Sequence, residues 1–413
     1  MNAAPGRPQA RSDRSPQGEG VPASAVRNAG LTVMTADATA STSMPEPRPY
    51  LLTGPTYTPG KAAAIGVKQS FKLSSNESAV GASPGVIAAI TAGSNEQHLY
   101  PDPDGANLAQ AIAHRDGLDA RRVVTGPGSE AIINWLIQGW ASEGDEIVYC
   151  AHGFQAYRIR AMSHGIVPVA APEKGLRTDV QALLAAVTPK TRIVFVANPN
   201  NPTGTWISLK ELTELRRVLR PDVLLVVDEA YCEYVNVPGY ESAMGMVNDA
   251  SPNVVVTRTF SKFYGLAGLR VGWAFVPSAM AAPLSQLRGP FAVSRVALAA
   301  AIAALKDEAH QAIAMAHNAR WRDWLQTQLR GMGLETTESV GNFVLFNAPG
   351  GADAALRLHG RLAQEGLMCR IADQNGLPDW IRVTVGSESS MHAFAQVLQG
   401  LIAEVGTAKE AAA

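Results

Sequence analysis

The stretch "DVLLVVDEAY" (residues 222–231) runs apolar from Val223 to Val227 and then turns abruptly to Asp228 and Glu229. An exposed strand alternates apolar and polar residues. One that is apolar on both faces belongs in a sheet covered on both sides, the habit of parallel sheets flanked by helices. The same texture recurs outward from it, in "RRVVTG" (121–126), "DEIVYC" (145–150), "TRIVFVAN" (191–198) and "NVVVTRTF" (253–260). Between these runs lie segments long enough for crossover helices, such as "SEAIINWLIQGWASEG" and "SLKELTELRRVL". The expectation is an α/β fold with a mostly parallel sheet sandwiched by helices.

Past residue 290 the pattern changes. A long Ala-rich helical stretch (296–329) precedes strands "NFVLFN", "LMCRIA" and "WIRVTV" and a closing helix, which reads as a smaller α+β domain. The division expected is a segment 48–83 that joins the small domain, a large domain 84–289 and a small domain 290–413. Residues 1–47 are rich in Pro, Gly, Ser and Ala, too poor in apolar surface to offset the entropy of ordering, and read as a disordered extension. A translation start at Met34 is an equal expectation.

The chain has 413 residues, 46% hydrophobic and 17% charged, with a formal net charge of −1. Such a balance offers nothing to nucleic acid or an anionic membrane. Cys150, Cys232 and Cys369 stand far apart with no His at ligand spacing, so neither a disulfide framework nor a metal site is expected, and the cytoplasm is the expected location.

In open α/β sheets, ligands gather at the carboxyl ends of strands. Four such ends carry polar groups here: "TGPGSEA" (125–131), "NPNNPTG" (198–204), "DEAY" (228–231) and "TFSK" (259–262). Gly126, Gly128 and Ser129 lead into a helix, where small residues let backbone N–H groups approach an anion. Neither a GxxxxGK[ST] loop nor a complete GxGxxG is present, which leaves a single phosphate group, with Thr259, Ser261 and Arg270 as further donors. Asp228 lacks the phosphate loop that a magnesium ligand would accompany and suits a cationic ring nitrogen. Lys262 can form a Schiff base with an aldehyde. An aldehyde, one phosphate and a pyridinium nitrogen together describe pyridoxal phosphate.

With "TFSKFYGLAGLRVG" (259–272) and "IRVTVG" (381–386) added in order, the chain resembles the aminotransferases of pyridoxal-phosphate fold type I, the aspartate-aminotransferase-like fold, from about residue 50 to 400. In "YTPGK" (57–61), "LSSNE" (73–77), "YPDPDG" (100–105) and "NGLPDWIRVTVGS" (375–387) it is similar to the histidinol-phosphate aminotransferase family. That resemblance implies ping-pong transamination between histidinol phosphate and 2-oxoglutarate through Lys262, which also moves the proton. It implies Asp228 on the ring nitrogen, Asn201 and Tyr231 on the ring's phenolic oxygen, and Phe154 stacked on the ring. It implies a phosphate cradle of Gly128, Ser129, Glu130 (through its N–H), Thr259, Ser261 and Arg270.

The resemblance further implies a homodimer in which Tyr100 reaches the neighbouring subunit's cofactor. Arg382 would take the substrate's acidic end, with Arg370 and the partner's Tyr57 on its phosphate. An aromatic amino acid transaminase and a lyase similar to threonine-phosphate decarboxylases remain open alternatives. Arg295 is expected near the substrate end.

Overall fold

The computed structural model describes residues 45–60 and 70–410; the expected extension 1–47 and Met34 lie almost wholly outside the described residues. The described chain carries strands β1 (Phe71–Lys72), β2 (Val123–Gly126), β3 (Glu146–Cys150), β4 (Val167–Ala171), β5 (Thr191–Ala197), β6 (Leu224–Asp228), β7 (Val254–Thr259) and β8 (Gly272–Phe275). They are followed by β9 (Phe343–Asn347), β10 (Leu367–Met368), β11 (Arg370–Ala372) and β12 (Leu377–Thr384).

Seven of them form one sheet in the order β2-β8-β7-β6-β5-β3-β4. Every pairing is parallel except the two made by β8, so β8 alone runs against the rest. Both faces are buried, as the doubly apolar strands require. Val194, Val196, Leu225, Val227 and Val256 point into one core, while Ile193, Phe195, Leu224, Val226 and Val255 point into the other. Burying an apolar side chain of this size contributes about 1.5–3 kcal/mol, so the alternation fixes the register on both sides at once.

Local chemistry places the helices. Ser83 caps the Pro84–Gly93 helix by accepting from Val86 N, and Ser208 and Glu211 form a capping box on Leu209–Val218. The expected continuous helix after residue 295 is two helices, Arg295–Lys306 and Glu308–Gly331. Asp307 divides them: its side chain accepts from His310 N and so caps the second helix.

The small sheet runs β11-β12-β9, antiparallel throughout. The stretch "LMCRIA" was expected as one strand, yet it serves two sheets. Leu367 and Met368 pair in parallel with Phe71 and Lys72, and Arg370–Ala372 pairs antiparallel with β12. A third core, with Val344, Phe346, Ile381 and Val383 facing Trp321, Leu325 and Phe394, supports this sheet. Leu73 lies in that core, whereas the Pro49–Thr53 helix contacts the Gln155–Ser163 helix beside the large sheet.

Candidate active site

Because β8 is antiparallel, it begins where its neighbours end. Gly272 pairs with Thr259 on one side and Gly126 on the other. The ends of β2, β5, β6 and β7 therefore meet at one edge of the sheet, above which opens a cavity of about 650 Å³. Most residues singled out from the sequence line it: Ser129, Glu130, Phe154, Asn201, Asp228 and Tyr231, then Thr259, Ser261, Lys262 and Arg270, and Tyr57, Arg370 and Arg382.

One end of the cavity suits a phosphate. The Ser129–Trp140 helix starts there with no side-chain cap, so its first amides are offered to an anion. Thr259 Oγ1 accepts from Ser261 N at 3.1 Å, and Arg270 Nη1 lies 3.3 Å from Ser261 Oγ. Arg270 is held at φ 53°, a left-handed conformation that costs about 1–3 kcal/mol and that the tight turn imposes. Gly128 lies behind this cradle: a Cβ there would sit 2.5 Å from Arg270 Nη2. The Glu130 carboxylate is turned away, accepting from Arg160 at 2.6 and 3.1 Å.

Gly272 packs directly against the start of the Ser129–Trp140 helix. A Cβ on it would meet Ser129 N at 2.4 Å, while one on Gly268 would meet nothing within 4 Å. Gly272→Ala is therefore expected to cost about 1–3 kcal/mol of stability by overpacking. It should also weaken pyridoxal-phosphate binding about tenfold, since a 1.4 kcal/mol disturbance of the cradle is one decade. Gly268→Ala should change neither. Thermal melts and a titration of apoenzyme with cofactor check the pair.

Asp228 is buried, and it lines the cavity. Its Oδ2 accepts from Tyr157 Oη at 2.8 Å and its Oδ1 from Thr257 Oγ1 at 3.1 Å. Burial pushes this carboxyl above its usual range, against the two hydroxyl donors. A carboxylate so placed has one strong remaining demand, a cation in the cavity, and a protonated ring nitrogen meets it. Tyr157 was not legible as a site residue, although it follows Phe154 by three positions. Their rings meet edge-on, 5.7 Å between centroids. Tyr231 Oη accepts from Asn76 Nδ2 at 3.1 Å, and burial pushes its hydroxyl up to about 12, which leaves it a proton to donate into the cavity at neutral pH. Asn76 was also missed; it stands at φ 54° and is pinned by Thr384 and Asn342.

Lys262 Nζ donates to Ser75 O at 2.9 Å and lies 6.0 Å from the centre of the Tyr231 ring. Burial brings its ammonium down to about 8, helped by the charge of Arg382 and opposed by Glu77. The neutral amine is the nucleophile. Its share in apoenzyme should rise about tenfold per pH unit up to pH 8 and then level. Stopped-flow cofactor loading between pH 6 and 9 should trace that curve.

At the other end, Arg370 and Arg382 are cross-strand partners on β11 and β12. Arg382 is buried; Nη1 donates to Asn201 Oδ1 at 2.5 Å and Nη2 to Ser74 O at 2.6 Å, while its Nε is buried without a partner. Burial lowers its guanidinium to about 10, and Arg370 pushes in the same direction. Arg370 lies over the ring of Tyr57 from its own chain, 5.4 Å from the centroid. Two positive side chains set opposite one another repel, and an unpartnered buried donor costs about 1–3 kcal/mol, so this end is built for an anion.

Two residues lie outside this chain's own cavity. Tyr100 is 77% exposed and stacked on Phe291 at 4.5 Å. Arg295 does not approach the substrate end. As the first residue of its helix it points back to the segment before it, donating to Tyr100 O at 2.7 Å and Glu96 at 3.2 Å.

Comparison with known proteins agrees with this geometry. The family described as "Aminotransferase class I and II" matches residues 68–398. The histidinol-phosphate aminotransferase of Rhodospirillum rubrum is 44% identical over 88% of this chain and 98% of its own. That of Maricaulis maris is 43% identical over 86% of this chain and 98% of its own. Among solved structures, the histidinol-phosphate aminotransferase from Sinorhizobium meliloti, in complex with pyridoxal-5'-phosphate, is similar with a TM-score of 0.82 and 28% identity. That similarity covers 88% of this chain and 99% of the other. The chain belongs to the class I and II aminotransferases, pyridoxal-phosphate-dependent enzymes of fold type I.

Proposed function

We propose that this aminotransferase transfers the amino group of histidinol phosphate to 2-oxoglutarate, giving imidazole acetol phosphate and glutamate, a step of histidine biosynthesis. The observation that carries the substrate is the cross-strand pair Arg370 and Arg382, two cations that line the same cavity as the proposed phosphate cradle but on different elements. The names of the relatives above support the same choice.

When bound, pyridoxal phosphate supplies an aldehyde and a protonated ring that draws electrons from the substrate's Cα. The chain's own residues do the rest. Ser129, Thr259, Ser261 and Arg270 would anchor the cofactor's phosphate, Asp228 would hold the ring nitrogen, and Asn201 and Tyr231 the phenolic oxygen. Phe154 would pack on the ring. Lys262 Nζ, neutral in a sizeable fraction near pH 8, would take the proton from the substrate's Cα as a base and then give it back as an acid. Arg382 and Arg370 fix the substrate's anionic end and so aim its Cα at that amine.

Holoenzyme mixed with histidinol phosphate and no keto acid should pass from the aldehyde to the amine form of the cofactor, whereas phenylalanine should not convert it. Carbon dioxide released from phosphothreonine, with no amine form, would overturn the reading. Arg370→Ala should raise KM for histidinol phosphate about 10- to 150-fold with little change in kcat, the worth of one charge-assisted hydrogen bond to a phosphate.

The proposal includes a homodimer, a cytoplasmic location, and the division into a large domain 84–289 and a small domain 290–413. Tyr100, stacked on Phe291 and held at its carbonyl by Arg295, supports the dimer as an exposed aromatic knob. Free, buried Cys150, Cys232 and Cys369 support the location. A core of its own beneath the small sheet supports two domains, while Val293 and the Arg295–Lys306 helix pack into the large-sheet core and so bring the start of 290–413 to the large domain. Among the described residues, no helix is long and apolar enough to cross a membrane.

A further inference from the structure

The turn between β11 and β12 holds a residue that the roles above leave unused. Asn375 ends the short helical turn Asp373–Asn375 and is followed by Gly376 at φ 74°, so the chain reverses there. Asn375 Nδ2 donates to Gly153 O at 2.9 Å, and its Oδ1 accepts from Gln155 Nε2 at 3.1 Å. Its carbonyl oxygen lies 2.7 Å from His152 Nδ1; a carbonyl can only accept, so that nitrogen carries the proton. One residue thus grips three neighbours of Phe154, two before it and one after. Asn375 also lines the cavity.

The hairpin whose tip makes this grip carries Arg370 and Arg382 facing one another. An anion that draws the two guanidinium groups together acts on the hairpin. The hairpin's tip is hooked to the segment whose central side chain, Phe154, lines the cavity where the cofactor ring would lie. A second connection runs through the base of the same hairpin, where Arg382 donates to Asn201. Surface glue between a hairpin and a helix would need neither a cavity position nor all three polar groups of one side chain and carbonyl.

We propose that Asn375 is a positioning residue that couples the anion-binding hairpin to the ring-stacking loop. Occupation of the arginine pair then changes how the cofactor ring is seated, and by reciprocity the seated ring changes the grip on the anion. This rests on the reading of Arg370 and Arg382 as the anion site.

The test uses holoenzyme and inorganic phosphate, with the visible circular dichroism of the bound cofactor as readout. In the wild-type enzyme, phosphate should shift the dichroic band and saturate. Asn375→Ala should weaken phosphate about five- to tenfold, the lower range of measured couplings, and leave the band nearly insensitive to it. Asn375→Asp keeps the acceptor for Gln155 but sets an anionic oxygen against Gly153 O, and should resemble the alanine variant. Gln155→Ala removes one contact of the three and should fall between, which keeps the proposal testable if Asn375 variants fold poorly.

A lowered melting temperature with unchanged phosphate affinity and dichroism would overturn the coupling. So would a wild-type band that does not respond to phosphate. The substrate reading fails separately. If histidinol phosphate does not convert the wild-type cofactor while Asn375→Ala still loses phosphate affinity, the coupling stands and the substrate does not. If conversion proceeds and Asn375→Ala matches the wild type, the substrate stands and the coupling does not.

Discussion

Lys262→Ala is expected to remove the yellow colour of the holoenzyme and to lower the amino-transfer rate by about 10⁴-fold or more, the upper range for loss of a positioned acid–base group. Two functions leave together. The covalent hold on the cofactor requires a nucleophilic nitrogen at this point of the cavity, and the proton requires a carrier within reach of both of its positions. Substitution should not unfold the chain, because the ammonium is itself a burden where it stands. Burial and the charges of Arg382, Arg270 and Lys72 all oppose it, against the charge of Glu77 and the Ser75 carbonyl that accepts from it. Its folded value near 8 lies below the ordinary lysine value of 10.5. The folded apoenzyme therefore sheds that proton more readily than the unfolded chain. The cost is greatest below pH 8 and is relieved as pH rises from 8 to 10.5. Lys262→Ala apoenzyme should accordingly melt higher than the wild type at pH 7. A pyridoxal-phosphate complex of the variant that keeps its visible band would sink the assignment of Lys262.

The second large effect belongs to Asp228. Asp228→Asn should lower kcat by about 10²–10³-fold, since breaking a buried ion pair costs about 3–5 kcal/mol, of which the transition state feels most. The amide is the same size and can still accept from Tyr157 or Thr257, so its shape persists while its charge is lost. Without the charge, the ring nitrogen of the cofactor has no reason to stay protonated. The sign of the stability effect is opposite. Burial raises the folded pKa of Asp228 above the unfolded value of 3.8. The stability this group contributes is present at low pH and declines as pH rises through that window. At pH 7 apoenzyme carrying Asp228→Asn should therefore be more stable than wild type, and the holoenzyme less active. A variant that lost less than tenfold in kcat would show that Asp228 does not govern the ring. Tyr157→Phe should act more mildly, because Thr257 still holds the carboxylate.

Much of this site was legible because its chemistry is written at strand ends. Runs such as Val223–Val227 are apolar on both faces and can only be central strands, so the polar residue that follows each must sit at the sheet's edge. What escaped was set by proximity across the fold. Tyr157 looks like any helical aromatic until Asp228 is seen against it, and the only local hint is its place one turn after Phe154. Asn76 needs a left-handed backbone and three partners drawn from residues 231, 342 and 384. Arg295 was misplaced because sequence shows a charge but not its direction. As the first residue of a helix, its side chain turns back over the preceding segment. "LMCRIA" reads as one strand since its apolar content is continuous; only the different partners of Leu367 and Arg370 divide it.

The reversed strand β8 has a consequence for the life of the protein in a cell. It threads Gly272 between Thr259 and Gly126, so the parts that grip the vitamin-derived cofactor are also the parts that close the sheet. A ligand that binds only the native chain stabilises it by about 2.7 kcal/mol at one hundred times its dissociation constant. Here that gain falls on the seam joining the sheet's edge strand to its centre. A chain made while the vitamin is scarce is the same polypeptide with a looser seam, more open to proteases, and its abundance should follow vitamin supply even when its synthesis does not change.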